Sequence, residues 1–127
     1  MNDIVSDTLA RIRNAYLVGK EVVVVQKSKF VKSILEVMKS EGFIADIEES
    51  DRSMNVTLKY DIKGVPVIRG MKRISKSSRR FYVQSKDLKN MRRKRFALSV
   101  ISTPNGVLSD IKAYAQGVGG ELVCEVY

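Results

Sequence analysis

Residues 102–110 read STPNGVLSD and residues 117–124 read GVGGELVC, and these two segments decide how the C-terminal part of the chain folds. The first is typical of a small polar turn that leads into a short helix, and the second of a glycine-led strand. Gly106 lets a backbone approach a partner closely, and Ser109 or Asp110 can cap the helix. The pattern predicts a C-terminal domain that is mostly β, with one short helix and a hydrogen-bonding turn.

The N-terminal part has the pattern of two amphipathic helices. Apolar residues recur at spacings of three and four from Val5 to Tyr16 and again from Phe30 to Met38. Ser28 is placed to cap the second helix, and Gly42 follows its last apolar residue, where a C-terminal glycine belongs.

Strands are expected between and after these helices. The valines of residues 22–25 predict a strand buried on both faces, and the alternation across residues 43–60 predicts two strands around a turn. Together these elements give an N-terminal α-β-α-β-β domain, residues 1–64. A second domain, residues 65–127, is expected to begin with a strand at residues 65–68, so the fold class is α/β in the broad sense (α+β).

Charge is concentrated in one segment. The chain has 127 residues, with 23 Lys and Arg against 14 Asp and Glu, a net charge of +9. Between residues 69 and 95 there is one acid, Asp87, and twelve bases: Arg69, Lys72, Arg73, Lys76, Arg79, Arg80, Lys86, Lys89, Arg92, Arg93, Lys94 and Arg95. Such segregation favours binding to a polyphosphate, because each neutralised phosphate releases counterions.

The residue types argue against an enzyme. Histidine is absent, and the one cysteine, Cys124, falls in an alternating apolar strand rather than beside a base. The carboxylates of residues 48–51 fall in a predicted hairpin turn, where they are normally solvated. No catalytic residue, metal or cofactor is expected. The four-valine run is far short of the roughly 20 residues that span a bilayer, so we expect no binding to a membrane. A single cysteine fits a reducing compartment, so we expect a cytoplasmic protein.

Several segments match one family in sequence order. Residues 8–14 (TLARIRN) are similar to its Leu-Thr-Arg-Ile-Arg-Asn helix, and residues 40–44 (SEGFI) to its Glu-Glu-Gly-Phe-Ile turn. Residues 72–76 (KRISK) and 80–82 (RFY) are similar to its Arg-Ile-Ser-Lys-Pro-Gly segment and the Tyr that follows. Residues 102–121 are similar to Ser-Thr-Ser-Lys-Gly-Val-Met-Thr-Asp followed by Ala-Gly-Val-Gly-Gly-Glu. From end to end, the chain resembles the family of bacterial ribosomal small-subunit protein eight.

The resemblance implies a two-domain structural protein of the small ribosomal subunit. It implies direct binding to the central domain of small-subunit ribosomal RNA, where the family helps to assemble the platform, and other ribosomal proteins as neighbours. In some bacteria the family also represses translation of its own operon by binding a messenger RNA. Carried over by position, the residues implied to contact RNA are Ser102, Thr103, Gly106, Glu121, Tyr82, Arg11, Asn14, Lys29 and Lys76.

Basic residues complete the expected surface, and some positions depart from the family. The residues expected to contact phosphates are Arg73, Lys76, Arg79, Arg80, Arg92 and Arg93. Pro104-Asn105 stands where the family has Ser-Lys, Ser77-Ser78 replaces Pro-Gly, and Ile111 and Tyr114 replace arginines. Asn105 remains a candidate contact. A general duplex nucleic-acid-binding protein or a translational repressor is the alternative interpretation.

Overall fold

The computed structural model describes residues 3–76, 78–89 and 97–127. The chain divides into two compact units, Met1–Gly70 and Met71–Tyr127, each built on one antiparallel sheet, which confirms the predicted α+β class. No helix in the described part of the chain is long and apolar enough to cross a membrane.

The units divide six residues after the boundary expected near residue 64. Residues 65–70 stay with the first unit because Tyr60 forms an isolated bridge with Pro66 and the Val67 amide donates to the Lys59 carbonyl over 3.2 Å. The expected strand at residues 65–68 is wrong, since this segment turns back on Tyr60 through a single bridge.

The N-terminal unit has the predicted order of elements. They are helix α1 (Ile4–Leu17), strand β1 (Val22–Gln26), helix α2 (Lys29–Ser40), strand β2 (Asp46–Glu49) and strand β3 (Ser53–Thr57). The sheet order is β1-β3-β2, and both pairings are antiparallel.

Local sequence signals explain where the N-terminal helices begin and end. The Asp3 carboxylate accepts hydrogen bonds from the Val5 and Ser6 amides at the start of α1. The Ser28 hydroxyl accepts from the Val31 amide, which confirms the expected cap, and Gly42 follows α2 with φ at 83°. The helices and sheet enclose a core whose most buried side chains are Ile12, Val25, Val31, Ile34, Leu35, Met38, Ile44, Met54 and Val56.

Strand β1 is buried on one face, not two. Val25 is buried, whereas Val22 and Val24 are exposed. The prediction of a doubly buried strand was wrong because one face of this antiparallel sheet packs on the core and the other is solvated. The β-branched composition correctly predicted a strand but wrongly predicted that both of its faces are buried.

The C-terminal unit is mostly β, as predicted. Its elements are β4 (Met71–Arg73), β5 (Tyr82–Val83), β6 (Leu98–Thr103), β7 (Gly106–Ser109), helix α3 (Asp110–Ala115) and β8 (Gly120–Val126). Residues 85–89 form a further short helical segment. The sheet order is β4-β8-β6-β7, and β5 also pairs with β8. Leu88, Ile101, Ala113 and Leu122 form its hydrophobic cluster.

Two details of this unit position the surface described below. Residues 106–109 form strand β7, which was not predicted, before the Ser109 hydroxyl caps α3 by accepting from the Lys112 amide. A side chain at Gly119 would overlap the Val83 carbonyl oxygen, and one at Gly120 the Ser102 carbonyl oxygen. The paired glycines therefore let β8 lie close against its neighbours.

Candidate nucleic-acid interface

A tight hairpin turn brings the predicted residues Thr103, Asn105 and Gly106 together. Thr103 and Gly106 are opposed at the ends of β6 and β7, with Pro104 and Asn105 between them. The Thr103 hydroxyl donates to the Gly106 carbonyl over 2.7 Å and accepts from the Asn105 amide over 3.1 Å. Pro104 fixes its own φ, and Gly106 adopts a φ of 107°. The turn is therefore held in one shape by its own atoms.

A second contact fixes the turn to helix α3. The Asn105 side-chain Nδ2 donates to Oε1 of Gln116, the residue that ends the helix, over 3.1 Å. Gln116 was not among the predicted site residues. The two residues lie eleven positions apart, and only the pairing of β6 with β7 and the short length of α3 bring them together. No local sequence signal indicates the contact.

Four residues lie in one row across the C-terminal sheet. Tyr82 on β5 is opposed to Glu121 on β8, Glu121 to Ser102 on β6, and Ser102 to Val107 on β7. Directly opposed residues of antiparallel strands project from the same face of a sheet. Tyr82 is 71% exposed, which makes its ring available for stacking. The row thus presents an aromatic ring, a carboxylate and a hydroxyl side by side.

An ion pair holds the centre of this row. The Glu121 carboxylate, whose side chain is 14% exposed, accepts from Arg80 NH1 at 2.9 Å and 3.1 Å through its two oxygens. A charge-assisted contact of this kind fixes the direction of both side chains. It also neutralises the one acidic member of the row, so Glu121 can accept a hydrogen bond without strongly repelling phosphate.

Three further basic candidates lie on the β4 side of the unit. Lys76 and Arg79 exchange backbone hydrogen bonds of 2.8 Å and 3.0 Å, and both residues are exposed. The Arg79 guanidinium carbon lies 5.1 Å from the centre of the Phe81 ring. Arg73 donates from NH1 to the Val123 carbonyl over 2.9 Å. Ser77 and the basic residues Arg92, Arg93, Lys94 and Arg95 lie outside the described residues.

The N-terminal unit carries the remaining candidates. Arg11 and Asn14 are exposed and lie three residues apart, on one face of α1. The Arg11 Nε contacts the Asp7 carboxylate at 3.0 Å, with both side chains more than half exposed. Lys29 is the exposed first residue of α2 and lies on a different element.

The basic excess belongs almost entirely to the C-terminal unit. Residues 1–70 hold eleven Lys and Arg against ten Asp and Glu, a net charge of +1. Residues 71–127 hold twelve against four, a net charge of +8. The row and the hairpin turn therefore lie in a strongly positive unit, which attracts phosphate.

Catalytic chemistry has no support in the described residues. Within the described ranges no group of Cys, Asp and Glu side chains is arranged to hold a metal ion. Cys124 is fully buried, and burial raises the pKa of its thiol to about 12, so the reactive thiolate is negligible near neutral pH.

A positive unit that exposes short polar side chains and a tyrosine on a sheet is typical of a structural, nucleic-acid-binding protein. The profile of the family described as Ribosomal protein S8 matches residues 3–127, and the chain belongs to that family. It is 42% identical to the Small ribosomal subunit protein uS8 of Oleidesulfovibrio alaskensis over 127 residues, which cover all of this chain and 99% of that protein. It is 43% identical to the protein of the same name from Ruegeria pomeroyi over 132 aligned positions, which cover both chains completely.

Family membership confirms the predicted class. The chain is a structural constituent of the small ribosomal subunit rather than an enzyme, and it takes part in translation in the cytoplasm. Ribosomal RNA and other ribosomal proteins are the partners that such a protein has.

Proposed function

We propose that the C-terminal unit binds directly to the central domain of small-subunit ribosomal RNA and helps to assemble the platform of the subunit. The observation that carries the proposal is the row of Tyr82, Glu121 and Ser102 across three paired strands, next to the fixed turn at Thr103. This surface lies in the unit that has a net charge of +8.

The row suits an irregular RNA element better than a regular duplex. A-form RNA hides its base edges in a deep, narrow major groove, so proteins recognise distorted elements through shape, stacking and short polar groups. In this proposal the Ser102 hydroxyl and the Glu121 carboxylate hydrogen-bond to unstacked bases or ribose hydroxyls, and the Tyr82 ring stacks on a base or sugar. The backbone at Gly106 allows close approach.

The basic residues position the RNA rather than select it. Lys76 and Arg79, whose backbones hydrogen-bond to each other, contact phosphates, and Arg73 and Arg80 add positive charge along the edge of β8 that pairs with β4 and β5. Arg11, Asn14 and Lys29 provide the contacts of the N-terminal unit. Loss of a phosphate contact weakens binding to every RNA, whereas loss of a group in the row weakens binding to the target most.

The test is a filter-binding titration of wild type and Ser102→Ala. The RNAs are a central-domain fragment and a length-matched duplex, and each titration is repeated at several salt concentrations beside duplex DNA. We expect Ser102→Ala to weaken binding to the fragment by about 1 to 2 kcal/mol, with little effect on the duplexes. Ser50→Ala is the matched control, because Ser50 lies in the hairpin turn of the N-terminal unit and hydrogen-bonds to Ser53.

The outcomes separate the proposal from its alternative. Preference for the fragment that persists as salt rises supports a specific ribosomal site. Equal, salt-labile binding to all three nucleic acids would leave a general duplex-binding protein. The same surface would also bind a messenger RNA that presents the same element, so the chain's own messenger should compete for the fragment if the repressor activity is present.

A further inference from the structure

The N-terminal unit has an apolar groove that its own fold leaves open. The groove encloses about 310 Å³. Its apolar lining comes from the end of α1 and from the segment after Tyr60: Tyr16, Leu17, Val65, Pro66 and Ile68. Leu17 is 77% exposed and Val65 is 51% exposed, although both are branched aliphatic residues. Neighbouring exposed apolar residues of this kind mark interaction surfaces.

Two arginines complete the lining. Arg13 comes from α1 and Arg69 from the segment after Tyr60. Within the described residues neither arginine has a carboxylate partner, whereas Arg11, also on α1, pairs with Asp7. Lys32 likewise pairs with Glu49 and Lys39 with Asp46. Two guanidinium groups without carboxylate partners, at one apolar groove in a unit whose net charge is only +1, are complementary to an acidic partner.

The lining favours a protein segment over a nucleotide. A base is held by stacking on an aromatic ring or a guanidinium plane and by hydrogen-bonding groups for its edge. Tyr16, the aromatic member of the described lining, is 5% exposed, and its hydroxyl already donates to the Phe43 carbonyl and accepts from the Lys59 amide. The accessible surface comes instead from aliphatic residues and Pro66, which suit a branched or aromatic side chain. Guanidinium groups bind carboxylates and phosphates alike, so it is the aliphatic lining beside them that favours an acidic protein segment with an apolar side chain.

We propose that this groove binds an acidic segment of a neighbouring protein in the small subunit. An apolar side chain of that segment enters between Leu17 and Val65, and Asp or Glu residues on either side of it pair with Arg13 and Arg69. The inference goes beyond the RNA-binding surface proposed for the C-terminal unit, because its groove lies wholly within residues 1–70.

Photocrosslinking in the assembled particle tests the proposal. Val65 is replaced by p-benzoylphenylalanine in the full chain, which is assembled into small subunits with ribosomal RNA and proteins, and the crosslinked peptide is sequenced by mass spectrometry. We expect a crosslink to a protein segment with Asp or Glu within a few residues of the attached apolar residue. The same label at Ile62, which is fully exposed and outside the groove, is the positional control and should give less than a fifth of the yield.

Charge reversal supplies the second readout. Arg13→Glu with Arg69→Glu should lower the crosslink yield at least five-fold, Arg13→Gln with Arg69→Gln should lower it less, and Arg52→Glu, an exposed arginine of the β2–β3 turn, should leave it unchanged. Filter binding of the purified variants to the RNA fragment should not change. Four outcomes would each overturn the proposal: a crosslink to RNA, no crosslink to protein, a crosslink yield that charge reversal does not change, or loss of RNA affinity in both groove variants. None of them affects the test of the C-terminal surface.

Discussion

The two units use their charges differently. In the N-terminal unit, net +1, some bases pair with carboxylates of other elements, as Lys32 does with Glu49 and Lys39 with Asp46, although in the part of the chain that the structure describes Arg13 and Arg69 do not. In the C-terminal unit, net +8, Lys76 and Arg79 have no carboxylate partner among the described residues. The first arrangement serves the fold itself. The second leaves repulsion that a polyanion can relieve.

The units also differ in how closely their backbones approach. Gly42 ends α2 with a positive φ, and the nearest atom to an added side chain would be the flexible end of Lys59, 3.7 Å away. A side chain at Gly120 would instead meet the backbone of β6. Close packing of β8 in the C-terminal sheet therefore depends on Gly119 and Gly120, whereas Gly42 serves the N-terminal unit through its backbone conformation.

The largest expected effect follows from that difference. Gly120→Ala should lower the free energy of unfolding of the C-terminal unit by about 3 kcal/mol, because the Ser102 carbonyl cannot move aside without breaking the β6–β8 pairing. Gly42→Ala should cost about 1 to 2 kcal/mol in the N-terminal unit through backbone strain alone. Circular dichroism in urea measures both losses.

The rate at which a thiol reagent labels Cys124 reports whether the C-terminal unit has opened. This cysteine is buried in β8, and its raised pKa makes it unreactive in the folded unit. Gly120→Ala should therefore accelerate labelling by a thiol reagent at low urea, and Gly42→Ala should leave the labelling rate close to that of wild type. Equal acceleration by both would mean that the units open together and that the comparison between them fails.

Local signals in the sequence were enough for the helices. Ser28 as a cap, Gly42 as a stop and the stripe from Phe30 to Met38 are found where the spacing placed them, except that Phe30 itself is exposed. The same holds for the cap at Ser109. Such features depend on residues within one turn of each other, so a single sequence contains their cause.

Long-range pairing was predicted less well. The burial of β1 depends on which face of its sheet the helices cover, and β7 exists because Val107 and Leu108, predicted to lie in a turn, pair with β6. The row of Tyr82, Glu121 and Ser102 also depends on register between distant strands. The resemblance to a family identified each of those residues separately, but only the strand register shows that they lie side by side. Neither the local sequence signals nor the resemblance identified Gln116.

The next largest effect concerns the unpaired charges. Lys76→Ala with Arg79→Ala should reduce the slope of log affinity against log salt by about 1.4 to 1.8, because each phosphate contact contributes roughly 0.7 to 0.9. Lys32→Ala with Lys39→Ala removes the same charge from side chains already paired with carboxylates, and should change the slope little. Filter binding to the central-domain fragment at several salt concentrations measures both. Equal slopes for the two double variants would show that net charge alone, not its location, drives binding.

A smaller effect is expected from the contact between Asn105 and Gln116. If it fixes the turn for RNA, Asn105→Ala and Gln116→Ala should each weaken binding to the fragment, and the double variant should lose less than the sum by about 0.5 to 1 kcal/mol. Filter binding of the four proteins in the cycle gives the coupling. Strictly additive losses would mean that each side chain acts on the RNA alone. Ser33→Ala, which removes a local hydrogen bond on α2, is the control.

The smallest effect lies in the N-terminal unit, where Lys32 lowers the pKa of the Glu49 carboxyl and Glu49 in turn raises the pKa of Lys32. A lowered carboxyl pKa stabilises the fold at pH values above the unfolded pKa of Glu, and this stability is lost as the pH falls through the folded value. A raised lysine pKa acts at the alkaline end, where the contribution disappears as the pH rises through the folded pKa of Lys32.

The urea midpoints of wild type and Glu49→Gln should therefore differ most between about pH 5 and pH 9 and converge at both extremes. The difference should be smaller than that of Gly42→Ala, because both side chains are exposed and solvent screens the pair. A difference that persists unchanged at acid pH would assign the loss to packing of the Glu49 side chain, and would mean that the paired charges of this unit contribute nothing to its fold.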